Sequence, residues 1–287
     1  MLVSIITPSY NQGGFIEATL RSIQAQTYPY IEHIVIDNCS KDGTSAILER
    51  YVGKITSVIE PDAGQTDAIN KGMRLAKGDI LAWLNADDLY LPHTIQTIVD
   101  FFQSHPDALF VYGDVEAIGL EGQTYGIRPF IQQTDADELV HQRNRIVQPA
   151  AFWRRELWEQ IGELDTDLNY VMDYEYWMRA ARHGTLHYIP SVLAQERLYD
   201  ATKTFRGSLR RIIELKQIAI RHGGNDLPVN FKAEAAATYL INGQVKHALE
   251  LYPPPLKLLR HLIAQLLPGQ AGIWLLLTRL TGKKQIE

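Results

Sequence analysis

Two adjacent carboxylates follow a buried-type apolar run in the first third of the chain. Residues 83–92 read Trp-Leu-Asn-Ala-Asp-Asp-Leu-Tyr-Leu-Pro, so Asp87 and Asp88 come directly after the run. Neighbouring acids repel each other, and carboxylate oxygens suit Mg²⁺ or Mn²⁺ shared with phosphate oxygens. The pair therefore predicts a divalent-cation site. The alternative is that one of the acids caps the helix that begins near Pro92.

Polar residues also follow the preceding apolar runs. Residues 7–11 read Thr-Pro-Ser-Tyr-Asn, and these hydroxyl, amide and aromatic groups can hold a sugar or a base, although they are also ordinary turn residues. Asp37 ends the second run, where an acid often accepts a ligand N–H or O–H. The loop of residues 60–72 contains Asp62 and Gln65 and leads into a helix whose N-terminus could face phosphates.

A further carboxylate opens an aromatic helix later in the chain. Residues 171–179 read Val-Met-Asp-Tyr-Glu-Tyr-Trp-Met-Arg. Asp173 lies at the predicted helix start, where it could act as a general base or merely cap the helix.

Alternating strands and helices would bring these residues together. In the first 110 residues, apolar runs alternate with helical periodicity, which is typical of βαβ units and a mostly parallel sheet. The predicted strands are residues 2–7, 31–37, 55–59, 79–84 and 109–115. Glycines at 119, 122 and 126 then predict a hairpin, after which the sheet becomes mixed. Ligands of open α/β sheets bind at the carboxyl ends of the strands.

Composition indicates a folded protein. The 287 residues are 46% hydrophobic and 21% charged, which excludes disorder, collagen and coiled coil. Cys39 is the single cysteine, so a disulfide framework is excluded and a reducing compartment is favoured; we expect its side chain to be buried. The chain begins without the basic region of a secretory signal.

The balance of charged residues changes from acidic to basic near residue 200. Residues 1–200 contain 15 Lys and Arg against 28 Asp and Glu, whereas residues 201–287 contain 13 against 5. We predict an acidic catalytic domain over residues 1–204 and a basic helical extension over residues 205–287 that faces something anionic; chance and ordinary helix-surface chemistry are the alternative. Residues 261–278 carry no formal charge, but Pro268 and Gly269 divide them, which favours short surface helices over a membrane span.

Taken in order, these segments resemble glycosyltransferase family 2, the inverting enzymes with a GT-A fold. The resemblance covers roughly residues 1–200 and depends on residues 4–11, 35–44, 85–88, 148–153 and 173–177. It implies an α/β fold in which a mixed, mostly parallel sheet is flanked by helices and followed by a helical C-terminal extension. It also implies a nucleotide-diphosphate sugar as donor and an acceptor hydroxyl.

The resemblance also implies roles for individual residues. The nucleotide base and ribose would be held by Thr7, Tyr10 and Asp37, with Pro8, Asn11 and Asn38 in the same motifs. Asp62 and Gln65 fall where the family contacts the nucleotide or the donor sugar.

For the chemical step, Asp88 would coordinate Mn²⁺ or Mg²⁺, Asp87 would contact the metal shell or the ribose, and Asp173 would be the general base. The first position of the family's Asp-X-Asp motif is Asn85 in this chain. Asparagine is a poorer metal ligand than aspartate, so Asp87 and Asp88 would bind the cation.

Two other functions compete with this one. A nucleotidyltransferase shares the nucleotide-binding topology, but it usually has a basic, glycine-rich loop after the first strand, and residues 8–14 contain no Arg or Lys. A non-catalytic nucleotide-sugar-binding protein of the same fold is the second alternative. Nucleic acid is not expected as a partner, because the basic residues after 200 are not interleaved with aromatic stacking residues.

The expected acceptor is a saccharide or lipid-linked saccharide, as in the synthesis of cell-surface polysaccharides or glycolipids. The expected location is cytoplasmic, with peripheral binding to an anionic inner membrane surface as an option.

Overall fold

The computed structural model describes residues 1–199, 202, 208–242 and 244–251. These residues fall into two compact units. The first unit comprises Met1–Leu139 and Asn144–Leu198, and the second comprises Val140–Arg143 and the described residues from Tyr199 onward. The predicted boundary between residues 204 and 205 lies outside the described residues, as do the short surface helices predicted over residues 261–278.

Parallel strands form the first half of the sheet. They are β1 (Val3–Ser9), β2 (Ile31–Asp37), β3 (Thr56–Ile59) and β4 (Ile80–Trp83), in the spatial order β3-β2-β1-β4. The three predicted strands 31–37, 55–59 and 79–84 are confirmed to within one residue. β1 ends two residues later than predicted, which changes the position of Thr7 in the sheet.

The second half of the sheet is mixed, as the loss of alternation after residue 115 indicates. Its strands are β5 (Leu89–Tyr90), β6 (Phe110–Ile118), β7 (Thr124–Ile127), β8 (Ala151–Arg154) and β9 (Leu186–Arg197). β8 lies antiparallel between β4 and β6, β9 runs parallel to β6, and β7 forms the expected hairpin with β6. The short β5 completes the edge by pairing with β9. The sequence did not predict β5, β8 or β9.

Helices lie on both faces of the sheet. They are α1 (Ile16–Gln24), α2 (Thr44–Glu49), α3 (Gln65–Leu75), α4 (Thr94–Ser104), α5 (Ala136–His141), α6 (Arg155–Ile161) and α7 (Met172–Ala180). Leu20 of α1 and Leu48 of α2 pack with Val35 of β2 on one face. On the other face α3 approaches β1 so closely that a Cβ at Gly72 would clash with the side chain of Ile6.

An aromatic cluster fixes α7 against the sheet. Trp177 of α7 stacks on Trp83 of β4 with 5.7 Å between ring centroids, and Trp153 of β8 meets Trp83 edge-on at 5.5 Å. All three rings are fully buried. These tryptophans therefore belong to the core.

The described part of the second unit is helical, as predicted. Its helices are α8 (Ser208–Arg221), α9 (Lys232–Ile241) and α10 (Val245–Leu251), and α9 contacts both of the others. Across the residues that the structure describes, none of the helices has the length and apolar character needed to cross a membrane.

Candidate active site

The carboxylate of Asp37 lies at the carboxyl end of β2, beside the end of β1. Its Oδ2 accepts hydrogen bonds from Ser9 Oγ at 2.9 Å and from Ser40 Oγ at 2.6 Å, and its Oδ1 accepts one from the Ser40 backbone N–H at 2.8 Å. The residue is fully buried. Ser9 and Ser40 thus hold the carboxylate in place, and its Oδ1, with one protein donor, keeps a second lone pair for another partner.

Thr7 lies inside the sheet, not at its edge. Because β1 continues to Ser9, Thr7 is fully buried, and its hydroxyl is 2.9 Å from His33 Nε2. The predicted contact between the Thr7 side chain and a ligand is therefore not available in this structure. Pro8 is also buried, whereas Tyr10 is 60% exposed just beyond the strand end.

Asn11 fastens the loop after β1 to the loop after β2. Its backbone N–H donates to Ser40 Oγ at 2.7 Å, and its Oδ1 accepts from the Lys41 N–H at 2.9 Å. Asn11 adopts a left-handed backbone with φ of 52°, and so does Cys39 with φ of 50°. Cys39 is exposed, so the expectation that it would be buried is wrong: it lies in the loop after β2.

Asn38, Asp62 and Gln65 connect the loops that follow β2, β3 and β4. Asn38 Oδ1 accepts from the Asp62 N–H at 3.1 Å, and Asp62 Oδ1 accepts from the Gly64 N–H at 2.8 Å. Partial burial raises the pKa of Asp62, against the opposing effect of the Gly64 bond. Gln65, the first residue of α3, donates from Nε2 to Asn85 Oδ1 at 2.8 Å.

Asp87 and Asp88 follow β4 at the same edge of the sheet. Asp87 is half-buried, and Asp88 is only 3% exposed. Asp88 Oδ1 accepts from the Arg197 backbone N–H at 2.9 Å, and its Oδ2 accepts from Asn85 Nδ2 at 3.1 Å. Burial raises the pKa of Asp88 well above its usual range, and the charges of Asp87 and Glu196 raise it further. A buried acid beside a second acid is a position that a cation would stabilise.

Arg197 organises this loop, and sequence reasoning missed it. Its Nε donates to the Asp87 carbonyl at 3.1 Å, and its Nη1 donates to the carbonyls of Gly119 and Leu120, both at 2.9 Å. Its guanidinium also lies 5.2 Å from the ring centroid of Phe15. The only sequence signal was a lone Arg at the end of an unpredicted strand, β9, more than 100 residues from its partner Asp87.

Asp173 lies in the first turn of α7 and is half-buried. The loop before α7 is held to α3 because Thr66 Oγ1 donates to the Leu168 carbonyl at 3.0 Å. Thr66 follows the polar loop after β3, so the N-terminus of α7 lies toward the edge that carries the other acids. Asp173 precedes Trp177 by four residues and therefore shares its helix face, the face that packs on Trp83.

The capping alternative is wrong for Asp87 and Asp88, and Asp173 is not the N-cap residue of α7. His93 precedes α4, and Val171 precedes α7. At neither position, within the described chain, does the capping residue make a side-chain hydrogen bond to the helix. Asp87 and Asp88 lie several residues before α4, and Asp173 is already inside α7.

Sequence comparison decides the family. Residues 4–162, more than half of the chain, match the family described as Glycosyl transferase family 2. The chain belongs to this family.

Curated relatives match most of the chain at low identity. An uncharacterised glycosyltransferase of Rickettsia typhi is 27% identical over 270 residues, which cover 85% of this chain and 82% of the relative. An uncharacterised glycosyltransferase of Haemophilus influenzae is 28% identical over 212 residues, covering 72% and 71%.

Solved structures show that the chain has the GT-A fold. S. aureus TarS 1–349 in complex with UDP-GlcNAc aligns with a TM-score of 0.63 and 16% identity, covering 92% of this chain and 80% of that chain. The mannosyltransferase PcManGT of Pyrobaculum calidifontis, in complex with GDP-Man and Mn²⁺, aligns with a TM-score of 0.62 and 23% identity, covering 98% and 88%. The chain spans 44% of the longer TarS chain.

The acids of this family 2 chain fit a cation shared with phosphate oxygens better than a closed metal centre. Asp87 and Asp88 supply two carboxylates, and the described residues contain no group of three His, Cys, Asp or Glu that could hold a metal ion. Mg²⁺ and Mn²⁺ are commonly bound by one or two carboxylates together with water and substrate phosphates. The two carboxylates are thus of the type that holds such an ion, and the metal at Asp87 and Asp88 stays a prediction.

Proposed function

We propose that this chain transfers a sugar from a nucleotide-diphosphate sugar to an acceptor hydroxyl and inverts the anomeric carbon. One observation carries the proposal. In a family 2 chain, Asp37, Asp62, Gln65 and the Asp87–Asp88 pair meet at the edge formed by the carboxyl ends of β1, β2 and β4. Ligands of open α/β sheets bind at such an edge.

The nucleotide would lie on the loops after β1 and β2. Tyr10 offers an exposed ring there, and the Asn11 and Asn38 contacts keep both loops in place. Two proteins of similar fold are solved with nucleotide sugars, TarS with UDP-GlcNAc and PcManGT with GDP-Man and Mn²⁺. They support a nucleotide-diphosphate sugar as the donor class, and because they differ in base and sugar, a donor panel is the appropriate test.

Asp87 and Asp88 would hold Mn²⁺ or Mg²⁺ together with the diphosphate. When bound, such an ion neutralises charge on the departing diphosphate. Residues 1–200 contain 28 acids against 15 basic residues, so this part of the chain repels a diphosphate, and a bound cation would reduce that repulsion.

Asp173 would activate the acceptor. Its carboxylate takes the proton of the acceptor hydroxyl while the oxygen forms a bond to the anomeric carbon. The bond between that carbon and the diphosphate oxygen breaks, and its electron pair leaves with the nucleoside diphosphate. Attack opposite the leaving group inverts the configuration.

The acceptor would be a saccharide or a lipid-linked saccharide on the cytoplasmic side of a membrane. After residue 200 the chain contains 13 basic and 5 acidic residues. This net positive charge supports contact with an anionic surface. Sedimentation with anionic vesicles should be strong for the full chain and weaker once residues 253–287 are removed. Absence of vesicle binding by the full chain would contradict the membrane contact while leaving the transfer reaction untouched.

Product analysis distinguishes the proposed reaction from its alternatives. The full chain is incubated with Mn²⁺ and a panel that includes UDP-GlcNAc and GDP-Man, with saccharide acceptors or with water as a slow acceptor. Glycosyl transfer releases nucleoside diphosphate. Nucleotidyl transfer from these donors would instead release a sugar 1-phosphate, and from an added nucleoside triphosphate it would release pyrophosphate. Donor binding with no turnover on any acceptor would indicate a binding protein.

A further inference from the structure

Three side-chain amides form a continuous relay of hydrogen bonds next to the Asp87–Asp88 loop. Gln148 Nε2 donates to the Trp83 carbonyl at 2.7 Å. Asn85 Nδ2 donates to Gln148 Oε1 at 3.1 Å, and Gln65 Nε2 donates to Asn85 Oδ1 at 2.8 Å. The relay joins the turn before β8, the loop after β4 and the start of α3.

The Trp83 carbonyl fixes the direction of this relay, because a carbonyl oxygen can only accept. Gln148 must turn its NH₂ group toward Trp83, so its oxygen faces Asn85. Asn85 must then turn its own NH₂ group toward Gln148 and its oxygen toward Gln65. Reversing any single amide would set two donors or two oxygens against each other at the next link.

The fixed orientation of Asn85 also directs its NH₂ group toward Asp88. Asn85 Nδ2 has two protons; besides Gln148 Oε1 it donates to Asp88 Oδ2 at 3.1 Å. Asp88 Oδ1 receives its own donor, the Arg197 backbone N–H at 2.9 Å. Both carboxylate oxygens of Asp88 are therefore oriented from the protein side, and each keeps a second lone pair for another partner.

We propose that Gln148 is a positioning residue that holds Asn85 as a hydrogen-bond donor to Asp88 and keeps the Asn85 oxygen away from the cation. Gln148 is buried, 8% exposed, and it acts through Asn85. The asparagine at the first position of the Asp-X-Asp motif is thus a required donor and not a weakened metal ligand. The cation at Asp88 rests on the proposed function, whereas the hydrogen bonds of the relay do not depend on it.

Nuclear magnetic resonance of the asparagine side chains tests whether the relay exists, and it needs no ligand. The full chain is labelled with ¹⁵N in asparagine, and the Asn85 signals are assigned by their loss in Asn85→Ser. We expect two inequivalent NH₂ protons that exchange slowly with water, and loss of protection for one of them in Gln148→Met. Gln103→Met, which changes an exposed glutamine of α4, is the control and should leave both signals unchanged. Rapid exchange in the wild type, or no effect of Gln148→Met, would refute the relay.

Calorimetric titration with Mn²⁺·UDP and Mn²⁺·GDP tests the link to the cation. We expect Gln148→Met to weaken binding roughly tenfold or more, the usual effect of losing a group that orients a metal ligand. Asn85→Asp is a second variant that keeps the size of the side chain, so it remains useful where Gln148→Met fails to fold. It should not tighten binding, because its new oxygen faces Asp88 Oδ2 and Gln148 Oε1. Tighter binding by Asn85→Asp, or unchanged binding by Gln148→Met, would overturn the proposal.

The two proposals fail in different ways. If the wild type binds none of UDP, GDP, ADP, CDP and TDP with Mn²⁺, the proposed function loses its donor site, while the Asn85 signals still decide whether the relay exists.

Discussion

Asp88 illustrates how its surroundings set the chemistry of a single residue. Burial and the neighbouring charges of Asp87 and Glu196 raise its pKa, whereas the N–H of Arg197 and the amide of Asn85 act in the opposite direction. The chain therefore holds an acid that is costly to ionise, in a position that two donors fix. Binding of a cation would remove that cost, which is why the metal is proposed here and not at the exposed acids.

Replacing Asp173 by Asn tests the proposed base. The substitution keeps the size of the side chain and removes its ability to take a proton, so kcat should fall about 100-fold or more. Binding of the nucleotide with Mn²⁺ should be unchanged, because Asp173 contacts only the acceptor in the proposed reaction. Steady-state kinetics and calorimetry measure the two quantities separately.

Asp167→Asn is the matched control, since Asp167 is an exposed acid in the loop that leads to α7. It should keep wild-type turnover. Near-normal turnover by Asp173→Asn would show that another group takes the proton.

His33 predicts a specific sensitivity of the fold to acid. Burial lowers its pKa to about 3, from 6.5. The folded chain then binds fewer protons than the unfolded chain between these values, so the stability contributed by neutral His33 is complete above pH 6.5 and is lost as the pH falls toward 3. At pH 4 the loss relative to pH 7 should be on the order of 3 kcal/mol.

Urea unfolding at pH 7 and pH 4 measures this loss. A His33→Gln variant should lose less stability on acidification than the wild type, whereas His183→Gln, at an exposed histidine, should behave as the wild type does. An equal loss in wild type and His33→Gln would contradict the assignment.

At the scale of elements, the site depends on long-range contacts between loops. The loops after β1 and β2 are joined through Asn11, and those after β2 and β3 through Asn38. Arg197, at the end of β9, then ties the loop after β4 to the turn of the β6–β7 hairpin. These contacts hold the acids at fixed positions before any ligand binds, which lowers the cost of ordering on binding.

Replacing Arg197 by Met tests this role. Three carbonyls lose a charged donor, so the free energy of unfolding should fall by about 2–4 kcal/mol, and Mn²⁺-dependent nucleotide binding should weaken with it. Arg74→Met is the control, because the Arg74–Glu163 ion pair is exposed and should contribute less than about 1 kcal/mol. Denaturant unfolding that shows equal losses for the two variants would refute a special role for Arg197.

For the whole molecule, sequence patterns predicted the parallel half of the sheet better than the mixed half. β1, β2 and β4 are buried runs that read as strands by themselves, so Asp37, Asp87 and Asp88 could be placed at strand ends. β8 and β9 form by pairing with segments far away in the chain, which no local pattern records.

The errors at the site have the same physical cause. Thr7 was expected at a strand end, but pairing with β2 extends β1 to Ser9 and buries it. Arg197 and Gln148 bond to partners 110 and 65 residues away, so neither role could be derived from local spacing. The acids themselves were accessible to sequence reasoning because each stands beside a recognisable apolar run.

Thermal unfolding with nucleoside diphosphates tests the central claim that Asp87 and Asp88 hold a cation that binds a nucleotide diphosphate. UDP, GDP, ADP, CDP and TDP are each added with Mn²⁺, and the wild type is compared with Asp88→Asn. At a concentration of 100 times its dissociation constant, at least one nucleotide should stabilise the wild type by about 2.7 kcal/mol, and a chelator or Asp88→Asn should abolish the effect. Stabilisation by none of the five, or equal stabilisation of both proteins with and without Mn²⁺, would contradict the account.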